Sequence, residues 1–479
     1  MSARHRVVLS LVLGIALGGC LVGPDYRRPK TPEPDTFRGQ APGGPDSFAD
    51  LPWWEVFQDE HLLALLREAL DHSYSLQNAA ARVEQAREAA GVAADTLLPT
   101  ISVHASPSYQ QVFTPPRLAP RNQRYPLYTL GGGLSWEVDV WGRLRRLREA
   151  ALAEYLGTEE ARRGVIVSLV GEVAQNYFQL LTLDEQLAIA QRTVAARRDT
   201  LRLFQEREQG GVGDRLQTAS EEANLAGAAA TIPNLEQQIA ARENLISILL
   251  GRPPGPILRS RDIFHRPSPP ELPAGLPGSL VERRPDLRQA EAGLIAANAQ
   301  VGAAFAQFFP QFVFNASGGV ESASLSTTFT TAAATFGVSL VVNWLIPLLN
   351  GYQIKHRYRA QQANWRALVA AYRQTVLNAL AEVSNALIAV QKLREQRTQL
   401  EAEVRARNES VELAKVRFRN GVASYLEVVQ AEQNLFPAEL QLAQTIGAQF
   451  VAMTQLYRAL GGGWQLPPPP PGEAKAARK

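Results

Sequence analysis

Residues 417–435, RFRNGVASYLEVVQAEQNL, read as helix, tight turn, helix. Asn420-Gly421 interrupts a helical pattern running from about Gln353 to Leu460. Glycine supplies the left-handed backbone that ends one helix, and Ser424 stands where an N-cap can start the next. The stretch has an echo 210 residues earlier: Gly421 falls on Gly211, Val422 on Val212, Leu426 on Leu216, Glu432 on Glu222, Asn434-Leu435 on Asn224-Leu225 and Leu460-Gly461 on Leu250-Gly251. The register holds without a gap, so the chain carries the same helical hairpin twice.

Outward from the hairpins, the 479 residues suggest two or three domains. Lys and Arg (49) nearly balance Asp and Glu (46), and basic residues alternate with acids, so no nucleic-acid footprint is present. The single cysteine is Cys20. Before it come a basic Arg4-His5-Arg6 and an apolar run, Val7 to Leu17, too short to span a bilayer and suited to a secretory signal. Leu17-Gly18-Gly19-Cys20 resembles a bacterial lipoprotein signal, which implies a signal peptide over 1–19 and a lipid (palmitate-type) anchor on Cys20. Leu21 is not Asp, which in such lipoproteins implies outer-membrane sorting. The other reading is a plain signal with an incidental cysteine.

Residues 20–58 are rich in Pro and Gly and read as an extended strap. A first repeat, 59–260, opens with a helix from His61 to Asp95, closed by Pro99. The period then drops to two. Ile101, Val103 and Ala105 alternate with Ser102, His104 and Ser106, and after a Pro-rich loop Leu134, Trp136, Val138 and Val140 alternate with Ser135, Glu137 and Asp139. This is a β-hairpin over 99–140. Arg143 to Gln209 is helical with no Pro, roughly 100 Å at 1.5 Å per residue. Its partner, Asp214 to Leu250, carries Pro233, where a kink or break is expected. A Pro-rich linker, 261–279, precedes the second repeat, 280–462, which repeats the plan at an offset of 211: a helix from Asp286 to Phe309, a β-hairpin over 311–346 and a helix from Tyr352 to Arg419. Residues 463–479 read as a disordered tail. Ala332 to Leu349 is apolar enough to suggest a membrane helix, but its alternation, Asn343 and Pro347 favour a strand.

Four strands cannot close a barrel, and open edges are not tolerated in lipid. The chain is therefore expected to oligomerise, and three copies of four strands reach the range that closes into a membrane barrel. The fold class expected is an α+β membrane protein: a trimeric β-barrel of twelve strands continued by long helices, with Trp136, Trp344, Phe312 and Phe314 facing lipid.

The residues also carry a family resemblance. Cys20 followed by Gly23-Pro24-Asp25-Tyr26-Arg27-Arg28-Pro29 is similar to the mature start of outer membrane factors of the TolC/OprM type. So are Ile232-Pro233-Asn234-Leu235-Glu236, Leu249-Leu250-Gly251-Arg252-Pro253, Arg283-Arg284-Pro285-Asp286-Leu287, Phe308-Phe309-Pro310 and Ala459-Leu460-Gly461-Gly462-Gly463-Trp464. The resemblance covers the mature chain in order. It implies a homotrimer with an outer-membrane barrel, a periplasmic helical barrel and an equatorial girdle. It further implies the exit duct of a tripartite drug-efflux pump, with a periplasmic adaptor and an inner-membrane transporter, by expectation of the RND type.

By the same resemblance the adaptor docks at two helical tips, Gly211, Val212, Gly213 and Asp214 in one and Gly421, Val422, Ala423 and Ser424 in the other. Gate and constriction residues carry over to Arg417, Phe418, Leu426, Glu427 and Gln430. Phe418 stands where the family often has Tyr, and Gln430 where it usually has Asp, so a hydroxyl latch and an acidic ring are lost there. Glu427 from three copies would still focus negative potential on the axis. The alternative is that Glu427 is one more exposed helix charge.

No active site is expected, nor any cofactor or metal. The six His do not cluster at ligand spacing, and Gly131-Gly132-Gly133 precedes a strand rather than a helix. Glu137 and Asp139 sit two apart on one strand face, as an acid–base pair or as lumen lining. Three functions remain: a duct for drugs or other small molecules, the same duct for secreted proteins or metal ions, and a structural lipoprotein with a coiled-coil stalk.

Overall fold

The computed structural model describes residues 21–31, 34–40, 51, 59–113, 122–260, 277–328, 330, 333–344 and 352–464. Cys20 and its signal, Trp53-Trp54, most of the 261–279 linker, Asn350-Gly351 and the tail from 465 lie outside them. The elements are α1 (Glu60–His72), α2 (Tyr74–Asp95), β1 (Thr100–Phe113), β2 (Asn122–Val138), α3 (Arg143–Gln209), α4 (Arg215–Leu249), α5 (Leu280–Arg283), α6 (Pro285–Ala306), β3 (Gln311–Ser322), β4 (Ala333–Asn343), α7 (Gln353–Arg419) and α8 (Tyr425–Ala459). The chain divides into two compact units. Described residues within 1–30, 82–159 and 289–373 form one, and those within 31–81, 160–288 and 374–479 form the other.

The first unit holds an antiparallel sheet in the order β1-β2-β3-β4. Its register sorts the side chains by chemistry. Val138, Phe312 and Val342 lie in one row, Trp136, Phe314 and Leu340 in the next, and Ile101, Leu134, Ala316 and Val338 in a third, all on one face. The opposite face carries rows such as Thr100, Ser135, Asn315 and Ser339, and Ser102, Gly133, Ser317 and Gly337. The apolar face is open: Ile101 is 77% exposed, Val103 80% and Phe336 82%. So large an uncovered apolar surface is unusual for a monomer in water. The indoles near the strand ends donate to carbonyls, Trp136 to Leu97 at 3.0 Å, Trp141 to Pro310 at 2.8 Å and Trp344 to Phe308 at 3.3 Å.

The N-terminal strap is tied down in the same unit. Arg146 is fully buried and donates to Asp25 and Glu149, both at 2.8 Å. Arg28 forks onto Glu291, with bonds of 2.6 and 2.7 Å. Gly23 has φ +98°, and a Cβ there would meet the Gly302 backbone at 2.6 Å, so the GPDYRRP motif packs only because position 23 is glycine. Glu137 and Asp139 are not a pair on one strand face. β2 stops at Val138. Asp139 instead accepts from the backbone N–H groups of Leu144 and Arg145, satisfying free donors in the first turn of α3, while Glu137 pairs with Arg143.

The second unit is helical. The expected single helix from His61 to Asp95 is two, broken at Ser73 (φ −60°, ψ 125°). In the second repeat the equivalent break at Arg284 precedes Pro285, which disfavours a helical backbone before it. No proline marks Ser73. The break fits a contact instead: Gly251 (φ +74°) sits so close to His72 that a Cβ would lie 2.4 Å from the His72 carbonyl oxygen. Its repeat partner Gly461 (φ +84°) abuts Arg283 in the same way. Arg284 then donates to the Ala459 carbonyl at 2.9 Å and pairs with Asp286 and Glu382, so the RRPDL and ALGGGW motifs form one joint. Pro233 and Pro437 each lie inside a continuous helix, so of the kink or break expected at Pro233 the break is absent. Residues 333–343 of the apolar run are strand β4, and no helix among the described residues is long and apolar enough to cross a membrane.

Candidate gate and docking tips

The two turns have the same backbone. In the first, Gly211 N–H donates to Glu208 O and Val212 N–H to Arg207 O, both at 3.0 Å. In the second, Gly421 donates to Phe418 O and Val422 to Arg417 O, again at 3.0 Å. This is the paired bonding of a Schellman cap, and it requires the left-handed residue that Gly211 (φ +75°) and Gly421 (φ +72°) supply. Past the glycine each turn presents an exposed valine and leucine, Val212 and Leu216 in one, Val422 and Leu426 in the other. Two matched apolar pairs on otherwise polar hairpin ends suit contact with another surface.

The next helices start differently. Asp214 accepts from Leu216 N–H at 3.0 Å and caps α4. Ser424 occupies the N-cap position of α8, as the sequence suggests, but its side chain makes no cap bond. Its carbonyl accepts from Glu427 N–H instead.

Four of the five expected gate residues cluster beside this second turn, and Gln430 stands exposed further along α8. Arg417 Nε donates to Glu427 Oε2 at 3.2 Å across the turn, with both side chains about half exposed. Glu427 is therefore partnered within its own hairpin rather than a free carboxylate. Phe418 packs edge-on against Tyr425 at 5.2 Å, and the Arg207 guanidinium lies 5.9 Å from the Phe418 ring centre. Leu426 and Glu427 point away from the hairpin core, whereas Tyr425, Val428 and Val429 face into it.

Several residues of this region were not singled out from sequence. Phe204 of α3 is buried and packs at a tilt against Tyr425, ring centres 4.2 Å apart, so both hairpins share one aromatic seal. Burial, aided by Glu221 and Glu432, pushes the Tyr425 phenol well above its usual range. Arg197 and Glu221 are buried beneath that seal. Their spacing carries no motif; only a charge on an otherwise inward-facing helix row hints at them. Among the described residues no group of His, Cys, Asp and Glu is arranged to hold a metal.

A family profile for the "Outer membrane efflux protein" matches residues 65–252 and 276–462, one segment in each repeat. The chain is 30% identical over 460 residues to the outer membrane protein OprJ of Pseudomonas aeruginosa, covering 95% of this chain and 96% of OprJ. It is equally, 30%, identical over 472 residues to the cation efflux system protein CusC of Escherichia coli O6:H1, covering 96% and 99% of the two chains. The solved structure of the outer-membrane channel OprN superposes with a TM-score of 0.84 at 30% identity, covering 93% of this chain and all of that one. An exposed apolar sheet face, duplicated long hairpins and these similarities agree: the chain belongs to the outer membrane efflux protein family and has the fold of its outer-membrane channels.

Proposed function

We propose that three copies of this chain form a passive duct that carries drugs or other small molecules from the periplasm to the exterior. The observation that carries this reading is the sheet. β1 and β4 each pair on one side only, one face is apolar and exposed, and the other is lined by hydroxyls and amides. Open edges in lipid are removed by closure with neighbouring copies. The polar face then lines an aqueous lumen. Cys20 bears the lipid anchor, and the chain acts as a channel rather than an enzyme. Energy for transport comes from an inner-membrane transporter of the RND type, linked through a periplasmic adaptor.

The adaptor docks on the two tips, where Val212, Leu216, Val422 and Leu426 stand exposed. The second hairpin is the gate: Arg417, Phe418, Leu426, Glu427 and Gln430 narrow the periplasmic end. Relatives named for toluene efflux and for cation efflux match at the same 30%, so overall identity does not choose between organic molecules and metal ions. Two Met and six His in the whole chain, and the engagement of Glu427 by Arg417, favour organic cargo.

The test is accumulation of dyes, antibiotics and phenolic compounds in a deletion strain with and without the gene restored. Accumulation of some compounds is expected to rise on deletion and return to the parental level on restoration. A rise confined to copper, silver or zinc ions would replace the cargo, and no rise for any compound would remove the small-molecule reading.

A further inference from the structure

Two helical turns from the Asp214 cap, the packed hairpins enclose a carboxylate with an incomplete set of partners. Glu221 of α4 is 1% exposed and Arg197 of α3 is 4% exposed. Glu221 Oε2 and Arg197 Nη1 face one another at 4.0 Å, beyond hydrogen-bond reach, and each lacks a hydrogen-bond partner. Thr218 Oγ1, one turn away and buried, lacks one too. The other oxygen of Glu221 is engaged. Asn224 Nδ2 donates to it at 3.2 Å, and Asn224 Oδ1 accepts from Gln433 of α8 at 2.9 Å. A hydrogen-bonded chain therefore runs from Glu221 through Asn224 to Gln433 of the second repeat, with Arg197 facing its near end.

The charged surroundings are mixed. From α8, the Glu432 carboxylate opposes a negative charge on Glu221, and Lys415 of α7 is drawn to Glu432 at 3.3 Å and to Glu412 at 3.6 Å. The Tyr425 phenol also faces the group, and Phe204 against Tyr425 closes it from solvent. On α4 itself, Glu222 is occupied by Arg215 at 3.3 Å. An ionised Glu221 thus has one cation out of bonding range, a second anion nearby and little water. A neutral Glu221 gives up the attraction to Arg197 but escapes the larger cost of burying its own charge, and its new O–H becomes a donor within a pocket that holds an unsatisfied hydroxyl.

We infer that this cluster is an acid-strengthened clasp: proton uptake by Glu221 tightens α4 against α8 and holds the tip shut, and proton loss loosens it. The inference rests on the reading of the second hairpin as the gate. The direction follows from linkage. Burial, ahead of the opposing effects of Asn224 and Arg197, holds the Glu221 carboxyl above its ordinary range. A carboxyl raised in the packed state binds its proton there more readily than in the loosened state. The stabilisation is complete below the ordinary carboxylate range and is lost as pH rises through the raised value.

The test uses full-length trimers, with hydrogen exchange of peptides over 215–225 and 425–435 and single-channel recording in planar bilayers. Both are followed from about pH 8 down to about pH 4.5, so that the scan runs from above a raised carboxyl to the ordinary carboxylate range. Exchange, corrected for its intrinsic pH dependence, is expected to slow on acidification. The local opening constant falls by at most about tenfold per pH unit, the limit for one proton. The open fraction of the channel falls with it. Glu221→Gln is expected to show slow exchange and low open fraction at both ends of the range. Glu427→Gln, read by exchange alone, keeps the pH response, which separates the clasp from the exposed tip carboxylate. Arg197→Gln removes the one favourable cation and moves the response to higher pH. A pH response of exchange that persists in Glu221→Gln, or acid-accelerated exchange in the parent, overturns the inference. Exchange that responds while conductance does not overturns the link from clasp to tip. The gate itself is judged separately by variants at Arg417 and Phe418.

Discussion

Val212 and Val422 occupy the same place in two Schellman turns, and beyond them the hairpins part company. The first turn is secured by polar means. Asp214 caps the following helix, and Arg215 pairs with Glu222 on the surface. The second has no side-chain cap. It is held by an ion pair across the turn, Arg417 to Glu427, and by Phe418 on Tyr425. Tyr425 is the repeat partner of Arg215, so an exposed cation in one copy has become a buried aromatic in the other. The duplication preserved the backbone that makes a turn and let the side chains specialise. The second tip draws its stability from contacts with its neighbours, which suits the gate proposed for it.

The largest expected difference concerns that aromatic seal. Phe204→Ala removes a fully buried ring and is expected to lower the protection of both hairpin ends by about 3 kcal/mol. Arg215→Ala, at the position of the first tip equivalent to Tyr425, is expected to change protection by less than about 0.5 kcal/mol. Hydrogen exchange reads both, and equal effects would erase the distinction. Gly211→Ala and Gly421→Ala probe what the turns share. Each forces a Cβ into the left-handed region, and the two losses are expected to match at about 1 kcal/mol each. A twofold inequality would mean that the backbones are not equivalent in the assembled protein. The caps should differ: Asp214→Ala is expected to cost about 1 kcal/mol of local protection and Ser424→Ala almost nothing, since only Asp214 makes a cap bond. The smallest effect is that of Glu427→Gln on folding. An exposed ion pair contributes between about 0 and 1 kcal/mol, so its loss should register in the salt dependence of conductance rather than in protection.

Much of this was legible in the sequence for identifiable reasons. The switch from period three-and-a-half to period two marks the strands, because side chains alternate across a sheet regardless of context. Gly211 and Gly421 mark the turns because few other residues take that backbone at low cost. The helix break at Ser73 was not legible. Its counterpart at Arg284 is announced by Pro285, whereas Ser73 is met by Gly251, far away in sequence. Asp139 was misplaced because alternation continues past the last paired residue, and only the helix start shows that it is a cap. At the tip, four of the five gate residues named by resemblance gather beside one turn. Phe204, Arg197 and Glu221 escaped because they approach Tyr425 and Glu432 only when the two repeats pack together.

The central claim, that the second tip gates the duct and the first does not, is tested most directly by single-channel conductance of inserted trimers. Arg417→Ala with Phe418→Ala should raise conductance several-fold, while Asp214→Ala with Arg215→Ala should leave it at the parental value. Unchanged conductance in the first double variant, or an equal rise in both, would contradict the account.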